Sequence, residues 1–269
     1  AEEHDEDKAL RRFIREYDVS PARAQLCMTT TRETLRAAAS LSPKDICLYV
    51  GIPFCPTRCA YCSFVSQSVE KSMKLIPPFL EALEKEIAAT AAQVNALGLR
   101  VVSVYMGGGT PTTLSSLQMK DLLAAINDSF DLSRCLEFTV EGGRPDTLDA
   151  EKLRVIKAGG ATRISINPQT MSDTVLKAVG RRHSAASVVD VFHQAREAGF
   201  DDINMDLIAG LPADTADGFA ESLRQVMALG PSNITVHTLA LKKGADLFQR
   251  RVVLPSQADV ARMLEDAER

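Results

Sequence analysis

Residues 52–64 read Ile52-Pro-Phe-Cys-Pro-Thr-Arg-Cys-Ala-Tyr-Cys-Ser-Phe64 and carry three cysteines in one short loop. Cys55, Cys59 and Cys62 have the spacing C-x3-C-x2-C. Thiolates this close together can ligate three irons of a four-iron cluster and leave the fourth iron open to a small molecule. The loop follows a short apolar run at residues 46–50, which we interpret as the first strand of the fold.

Two other chemistries remain open for this loop. A structural zinc site needs four ligands and usually pairs two-cysteine knuckles, but the chain has no second knuckle. A redox pair formed by Cys59 and Cys62 would leave Cys55 without a role. An iron–sulfur cluster uses all three thiols, so we favour it. The histidines lie far from the loop in sequence, at His4, His183, His193 and His237.

The bulk composition excludes several classes of protein. The chain has 269 residues, 45% of them hydrophobic, and a net charge of −4. We therefore expect a globular protein with an ample core and no nucleic-acid-binding surface. No apolar run is long enough for a membrane span, and the charged start is unlike a signal peptide. The other cysteines, Cys27, Cys47 and Cys135, are too scattered for a disulfide framework, so we expect a reducing, cytoplasmic location.

The rest of the chain alternates short apolar runs with amphipathic stretches. This order predicts an α/β fold with a parallel sheet, and six strand–helix units fit a partial (β/α)6 TIM-type barrel. The predicted strands are residues 46–50, 101–106, 137–140, 162–166, 203–208 and 234–238. The predicted helices are residues 7–18, 21–40, 78–97, 114–130, 148–158, 185–198, 215–229 and 256–269.

Three regions follow from this pattern. We expect a short helical N-terminal extension at residues 1–44 and the partial barrel at residues 45–245. Residues 246–269 would begin a truncated C-terminal region, because both ends of the chain look like cuts in a longer protein.

Polar residues and glycines follow the predicted strands at the edge where barrel enzymes place their reactive groups. Residues 107–111 read Gly-Gly-Gly-Thr-Pro, which is either a tight turn or a backbone cradle for a ligand. Glu141 ends the third predicted strand. Its carboxylate is either a ligand group or a neighbour of the next helix. Gln169, Arg181 and Asp206 follow later strands and suit hydroxyl and carboxylate partners, although each alone could be a surface residue.

The cysteine spacing, with an aromatic residue at Tyr61, resembles the radical S-adenosylmethionine superfamily. There the open iron binds S-adenosylmethionine, and one electron then splits a C–S bond of that molecule to give a 5′-deoxyadenosyl radical. Residues 45–245 are further similar to the oxygen-independent coproporphyrinogen III oxidase (dehydrogenase) family. The matching segments are Leu48-Tyr-Val-Gly-Ile-Pro-Phe-Cys55, the cysteine loop, residues 107–111, Glu141, Gln169, Arg181, Asp206 with Gly210-Leu-Pro212, and Ala240.

This resemblance implies a four-iron, four-sulfur cluster on Cys55, Cys59 and Cys62, one S-adenosylmethionine on the cluster and, in some members, a second alongside. It implies oxidative decarboxylation of two propionates of coproporphyrinogen III to vinyl groups in haem biosynthesis, with flavodoxin or ferredoxin as electron donor. Family members also include haem chaperones and methyltransferases. The S-adenosylmethionine positions that it implies are Tyr49, Tyr61, Gly108, Gly109, Thr110, Glu141, Gln169, Arg181, Asp206 and Ala240.

The chain departs from the best-studied members of that family at two positions. Gly51 stands where they have a histidine, and Phe64 stands where they have a further cysteine. Both positions lie at the ends of the cysteine loop, and the wider family shares this core among proteins with different activities.

Overall fold

The computed structural model describes residues 5–64, 66–250 and 252–268, and the chain divides into two compact units at Asp45 and Ile46. The first unit contains two helices, α1 (Glu6–Glu16) and α2 (Pro21–Ala39). Ser20 caps α2, since its hydroxyl accepts a hydrogen bond from the Arg23 N–H, and Pro21 occupies the first turn. The break between the two helices therefore lies where the Ser-Pro pair predicted it.

The second unit alternates strands with helices, and every strand and helix predicted in it is present within two residues at each end. Its strands are β1 (Asp45–Ile52), β2 (Phe54–Cys55), β3 (Gln67–Ser68), β4 (Arg100–Gly108), β5 (Glu137–Glu141), β6 (Arg163–Ser165), β7 (Asp202–Ala209) and β8 (Asn233–Thr238). Its helices are α3 (Val69–Ser72), α4 (Ile76–Ala96), α5 (Ser116–Ser129), α6 (Ala150–Ala158), α7 (Asp173–Ala178), α8 (Ala185–Glu197), α9 (Ala216–Leu229), α10 (Asp246–Arg250) and α11 (Gln257–Glu268). Five short elements, β2, β3, α3, α7 and α10, were not predicted.

Six strands form one sheet in the order β1-β4-β5-β6-β7-β8, and β2 and β3 form a separate two-stranded sheet. The pairs from β4 to β8 are parallel. Sequential parallel strands joined by helices wind in one direction and place all their carboxyl ends at one edge. The prediction of an α/β fold with a partial (β/α)6 TIM-type barrel is confirmed.

One face of the sheet carries the main core, because alternate strand residues on this face are apolar. Val104, Met106, Val140, Ile164 and Ile203 are each fully buried there. They share a single apolar cluster with side chains of the crossover helices. The helical members of this cluster include Ile87, Leu122, Ile126, Leu153, Ile156, Val188, Phe192 and Phe219.

Helix ends follow the expected signals. Ser115 and Gln118 form a capping box at the start of α5, and Gly230 ends α9 in the left-handed conformation with φ +70°. The C-terminal helix α11 packs on α9, β7 and β8, and the Gly210 N–H donates to Met263 Sδ at 3.3 Å. Within the described ranges, none of the helices combines the length and apolar character that a membrane crossing requires.

Candidate functional site

The cysteine loop leaves the carboxyl end of β1 and is clasped by two other segments of the chain. The Ala60 N–H donates to the Val179 carbonyl at 3.0 Å, and the Leu247 N–H donates to the Ala60 carbonyl at 2.9 Å. The Arg58 guanidinium donates to the Gly244 carbonyl at 2.8 Å. These bonds hold the loop between the residue that caps the end of α7 and the segment that leads into the first turn of α10.

The structure brings the three predicted cluster ligands to one cavity. Cys55 lies in β2 and is half-buried, Cys59 is buried, and Cys62 is half-buried. A hydrogen bond of 3.0 Å from the Cys62 N–H to the Cys59 carbonyl turns the chain between the last two thiols. Burial raises the pKa of the Cys62 thiol. Among the described residues, no three side chains of His, Cys, Asp or Glu converge closely enough to hold a single metal ion.

The glycine run lies directly against the cysteine loop. The Gly109 N–H donates to the Ile52 carbonyl at 2.8 Å, and the Thr110 N–H donates to the Phe54 carbonyl at 2.7 Å. A Cβ at Gly109 would lie 2.9 Å from Cys55 Sγ, closer than side-chain atoms pack. The run is therefore more than a tight turn, because only glycine permits this approach to the Cys55 sulfur.

A cavity of about 340 Å³ joins the cysteine loop to the strand ends. Most of the sequence-predicted site residues line it, although they come from segments up to about 150 residues apart. The predicted residues that line it are Cys55, Cys59, Tyr61, Cys62, Gly108, Gly109, Thr110, Glu141, Gln169, Arg181 and Asp206.

Glu141, at the carboxyl end of β5, is the acidic group nearest the glycine run. A Cβ at Gly107 would lie 2.9 Å from Glu141 Oε2, so the strand and the carboxylate approach closely. Burial, followed by the charge of Asp206, raises the pKa of Glu141 to about 7. A carboxylate held in this way gains from a cationic ligand, since a positive charge would offset the cost of its burial.

Gln169 has two features of a residue held for a ligand. Its φ is +70°, a left-handed conformation that is uncommon outside glycine. Its side-chain Oε1 is buried and, within the described part of the chain, has no hydrogen-bond partner. Its backbone is fixed to β7, because the Gln169 N–H donates to the Asp206 carbonyl at 2.9 Å. A ligand hydroxyl or amine in the cavity would supply the missing donor.

Arg181 is buried and ties three segments of the site together. Its guanidinium donates to the Asn167 carbonyl at 2.6 Å, to the Gly143 carbonyl at 3.4 Å and to the Tyr61 hydroxyl at 3.2 Å. Burial raises the pKa of Tyr61 above its ordinary value, so its hydroxyl stays protonated. Arg181 thus links the aromatic residue of the cysteine loop to the strand ends.

A hydrogen-bonded amide supports the floor of the site. The Asn204 Nδ2 donates to Asp206 Oδ1 at 2.7 Å and to Ser165 Oγ at 3.1 Å. Its Oδ1 accepts from Thr235 Oγ1 at 3.0 Å and from Asn233. Because every polar atom of the Asn204 side chain is paired, Asp206 is held in one orientation.

Two predicted residues lie outside the cavity lining. Tyr49 is 65% exposed on β1, and its ring stacks on Tyr105 with centroids 6.0 Å apart. Ala240 follows β8 and is exposed. The contact of Tyr49 and Ala240 with S-adenosylmethionine stays a prediction.

Sequence reasoning missed several residues that line this cavity or the neighbouring cavity of about 250 Å³ over the floor, among them Tyr105, Arg144, Asn167 and His237. Tyr105 faces the floor cavity from β4, and Asn167 donates to Glu141 Oε1 at 3.4 Å. Arg144 and His237 line the main cavity. Arg144 could have been predicted from the segment Glu141-Gly-Gly-Arg-Pro-Asp146, because charged residues follow the end of a strand there.

The donor set fits a cluster with an organic ligand. Three thiols line one cavity, and one of them, Cys55 Sγ, lies against a glycine run whose space a Cβ would fill. Gln169 lines the same cavity, and its buried Oε1 has no partner among the described residues. Glu141 and Asp206 also line it, and their carboxylates can accept hydrogen bonds from an ammonium or from hydroxyl groups.

Comparison with known proteins agrees with this geometry. The chain is 37% identical over 226 residues to the oxygen-independent coproporphyrinogen-III oxidase-like protein HemZ of Bacillus subtilis, covering 83% of this chain and 45% of that protein. It is 37% identical over 225 residues to the haem chaperone HemW of the same organism, covering 81% and 57%. It therefore spans about half the length of these relatives.

A solved structure is also similar. Coproporphyrinogen III oxidase (HemN) from Escherichia coli, described as a radical SAM enzyme, has a TM-score of 0.75 and 29% sequence identity to this chain. The match covers 87% of this chain and 54% of that one. The model of the radical S-adenosylmethionine superfamily matches residues 49–226, which contain the cysteine loop, the glycine run and the carboxyl edge of the sheet through β7. The chain belongs to the radical S-adenosylmethionine superfamily.

Proposed function

We propose that this chain is the cluster- and S-adenosylmethionine-binding part of a radical enzyme that decarboxylates coproporphyrinogen III. The observation that carries the proposal is the single cavity that joins three cluster-spaced thiols to Glu141, Gln169 and Asp206. Bound together, a four-iron cluster and S-adenosylmethionine supply one-electron reductive cleavage and abstraction of a hydrogen atom. For each propionate, loss of a hydrogen atom, then of CO2 and one electron, would give a vinyl group. An external donor such as flavodoxin or ferredoxin would supply the electron for the cleavage, and a separate electron acceptor would take up the electron released from the substrate.

The chain's own residues would bind and orient the ligands. Cys55, Cys59 and Cys62 hold the cluster, and the Gly108–Gly109 backbone lets S-adenosylmethionine approach it. Glu141, raised in pKa by burial, pairs with the ligand ammonium, and Gln169 Oε1 accepts a hydrogen bond from the ligand. Asp206, held by Asn204, binds ribose hydroxyls. Tyr49, Tyr61, Thr110, Arg181 and Ala240 complete the proposed set.

A second candidate function is haem binding for delivery to another protein. The relative named haem chaperone HemW supports it, because its identity to this chain equals that of the oxidase-like relative. A chaperone would keep the same cavity and cluster loop without turning over a porphyrinogen. At Gly51 and Phe64, beside the site, the chain also differs from the best-studied members of the oxidase family, which weighs against the oxidase function.

An anaerobic assay of the purified, iron-reconstituted protein separates the two functions. With coproporphyrinogen III, S-adenosylmethionine and dithionite, the first function gives 5′-deoxyadenosine and vinyl products that mass spectrometry detects. Tight haem binding, without vinyl product, would support the chaperone instead.

The control is the Glu141→Gln variant in the same assay, which keeps the thiols and the fold. Its turnover should fall sharply while its iron content stays equal to that of the wild type. If the wild type forms no 5′-deoxyadenosine with an intact reduced cluster, the catalytic proposal is wrong.

A further inference from the structure

Arg144 lines the main cavity and also makes a buried contact with the cysteine loop. It lies three residues after Glu141, where the chain leaves β5, and its side chain is only 3% exposed. One side of its guanidinium pairs with Asp146 through two bonds, Nε to Oδ1 at 3.0 Å and Nη2 to Oδ2 at 2.9 Å. These two bonds fix the planar, forked guanidinium group of Arg144 in one orientation.

The remaining nitrogen of this fork reaches the loop between the first two cluster thiols. Arg144 Nη1 donates to Thr57 Oγ1 at 2.7 Å and to the Thr57 carbonyl at 3.1 Å. Thr57 lies two residues after Cys55 and two before Cys59. A single buried cation therefore holds both the backbone and the side chain of the loop at its midpoint.

The charge balance shows that Arg144, and not a neighbouring histidine, pairs with Asp146. His183 Nδ1 lies 3.9 Å from Asp146 Oδ1, and its side chain is fully buried. Burial, with the nearby charge of Arg181, lowers the pKa of His183 to about 4, so the ring is neutral near pH 7. Asp146 then depends on Arg144 for its counter-charge, and this dependence keeps the fork in place.

We propose that Arg144 is a positioning residue that clamps the cysteine loop through Thr57 and so pre-forms the cluster site before any iron binds. The proposal deepens the function proposed above and rests on it for the identity of the ligand. Lysine at this position keeps the positive charge beside Asp146. Its single ammonium nitrogen cannot reproduce the guanidinium geometry, in which separate nitrogens contact Asp146 and Thr57. Loss of the clamp frees the loop while the ion pair with Asp146 is retained.

The test measures how accessible the buried Cys59 thiol is in the iron-free, reduced protein. Each thiol is labelled with N-ethylmaleimide and its rate is followed by peptide mass spectrometry, with the exposed Cys27 as reference. In Arg144→Lys, Cys59 should react about tenfold faster than in the wild type, which corresponds to about 1.4 kcal/mol. Thr57→Val, which keeps the carbonyl contact, should accelerate the same thiol by a smaller factor.

Two controls separate a local clamp from general loosening. Arg163→Lys changes a second arginine, which is partly buried and pairs with Glu137 and Asp202. These two residues begin β5 and β7, at the amino ends of the strands, away from the cysteine loop. It should leave Cys59 labelling unchanged. The half-buried Cys135 reports on the barrel itself. Equal acceleration of Cys135 and Cys59 in Arg144→Lys would overturn the proposal, as would no acceleration of Cys59.

The pair of variants also tests whether the two residues act together. The double variant Arg144→Lys/Thr57→Val should label Cys59 no faster than Arg144→Lys alone, because both changes break one contact. If Arg144→Lys does not fold, an unchanged Cys59 rate in Thr57→Val contradicts the clamp. Labelling needs no S-adenosylmethionine, so it can succeed even where the assay for 5′-deoxyadenosine fails.

Discussion

The helix-covered face of the sheet and its carboxyl edge are built from the same strands but carry opposite chemistry. In β5, Val140 is fully buried under the helices, whereas its neighbour Glu141 reaches the cavity. In β6, Ile164 belongs to the core and Ser165 to the polar floor. Because successive side chains of a strand point to opposite faces, a core residue and a site residue can be direct neighbours in the chain. The face is built for folding and the edge for binding, so each should respond to substitution in its own measurement.

Loss of a cluster thiol should give the largest effect, confined to the edge. Cys59→Ala should abolish the brown visible absorbance of the reconstituted protein, since thiolates hold the irons. The melting temperature of the iron-free protein should change little by comparison. Absorbance spectra and iron content per chain measure the result. Cys135→Ala is the control and should keep the cluster, and a cluster that survives Cys59→Ala would refute the ligand assignment.

A core substitution should give the next largest effect, confined to the helix-covered face. Ile164→Ala removes a fully buried side chain and should lower the free energy of unfolding by about 2–5 kcal/mol. Chemical denaturation measures it. Leu136→Ala, at a side chain that is 76% exposed, should cost no more than about 0.5 kcal/mol. Equal losses at the two positions would mean that the assigned core is wrong.

Asn204→Ala should affect both stability and ligand binding, because Asn204 is buried in the sheet and also supports Asp206 at its carboxyl edge. We expect a loss of about 1–3 kcal/mol in stability, since Ser165 and Asp206 lose a buried partner. Affinity for S-adenosylmethionine, measured by calorimetry, should fall as well. Asn127→Ala, which removes bonds to the Leu123 and Gly159 carbonyls, should affect stability alone. Unchanged ligand affinity in Asn204→Ala would show that the floor does not orient Asp206.

The last prediction concerns pH. With its pKa raised to about 7, Glu141 in the folded protein keeps a proton that the unfolded chain releases at lower pH. Its contribution to stability therefore falls as pH rises from about 4.5 to 7. Glu141→Gln should remove this part of the decline between pH 5 and pH 8. Binding of a cationic ligand should strengthen over the same range in the wild type only.

Denaturation curves at pH 5 and pH 8 measure the stability difference, and calorimetry measures the ligand affinity. Identical profiles for wild type and Glu141→Gln would contradict the raised pKa.

The fold followed from the sequence because its signals are local. Period-two apolar runs mark β4 and β7, and glycines such as Gly230 end helices by their conformation alone. The short helix α7 and the pairing of β2 with β3 were not predicted. Six residues are too few to show a helical period, and a two-residue strand depends on a distant partner.

The site could be predicted only in part for the same reason. Glu141 and Gln169 follow strands, so their position in sequence revealed their edge. Tyr105 and Arg144 act through contacts with residues far along the chain, and Arg144 meets Thr57 across 87 residues. The strain at Gln169, with its positive φ, is also a tertiary feature that residue type does not encode.

The 87-residue separation between Thr57 and Arg144 has a consequence for how the protein is made. Chains grow at about 5–20 residues per second, so Arg144 is added roughly 4–17 s after Thr57. During that interval the thiol loop of the nascent chain lacks its contact with Arg144. The loop can therefore take up its final geometry only after the chain has been extended past β5.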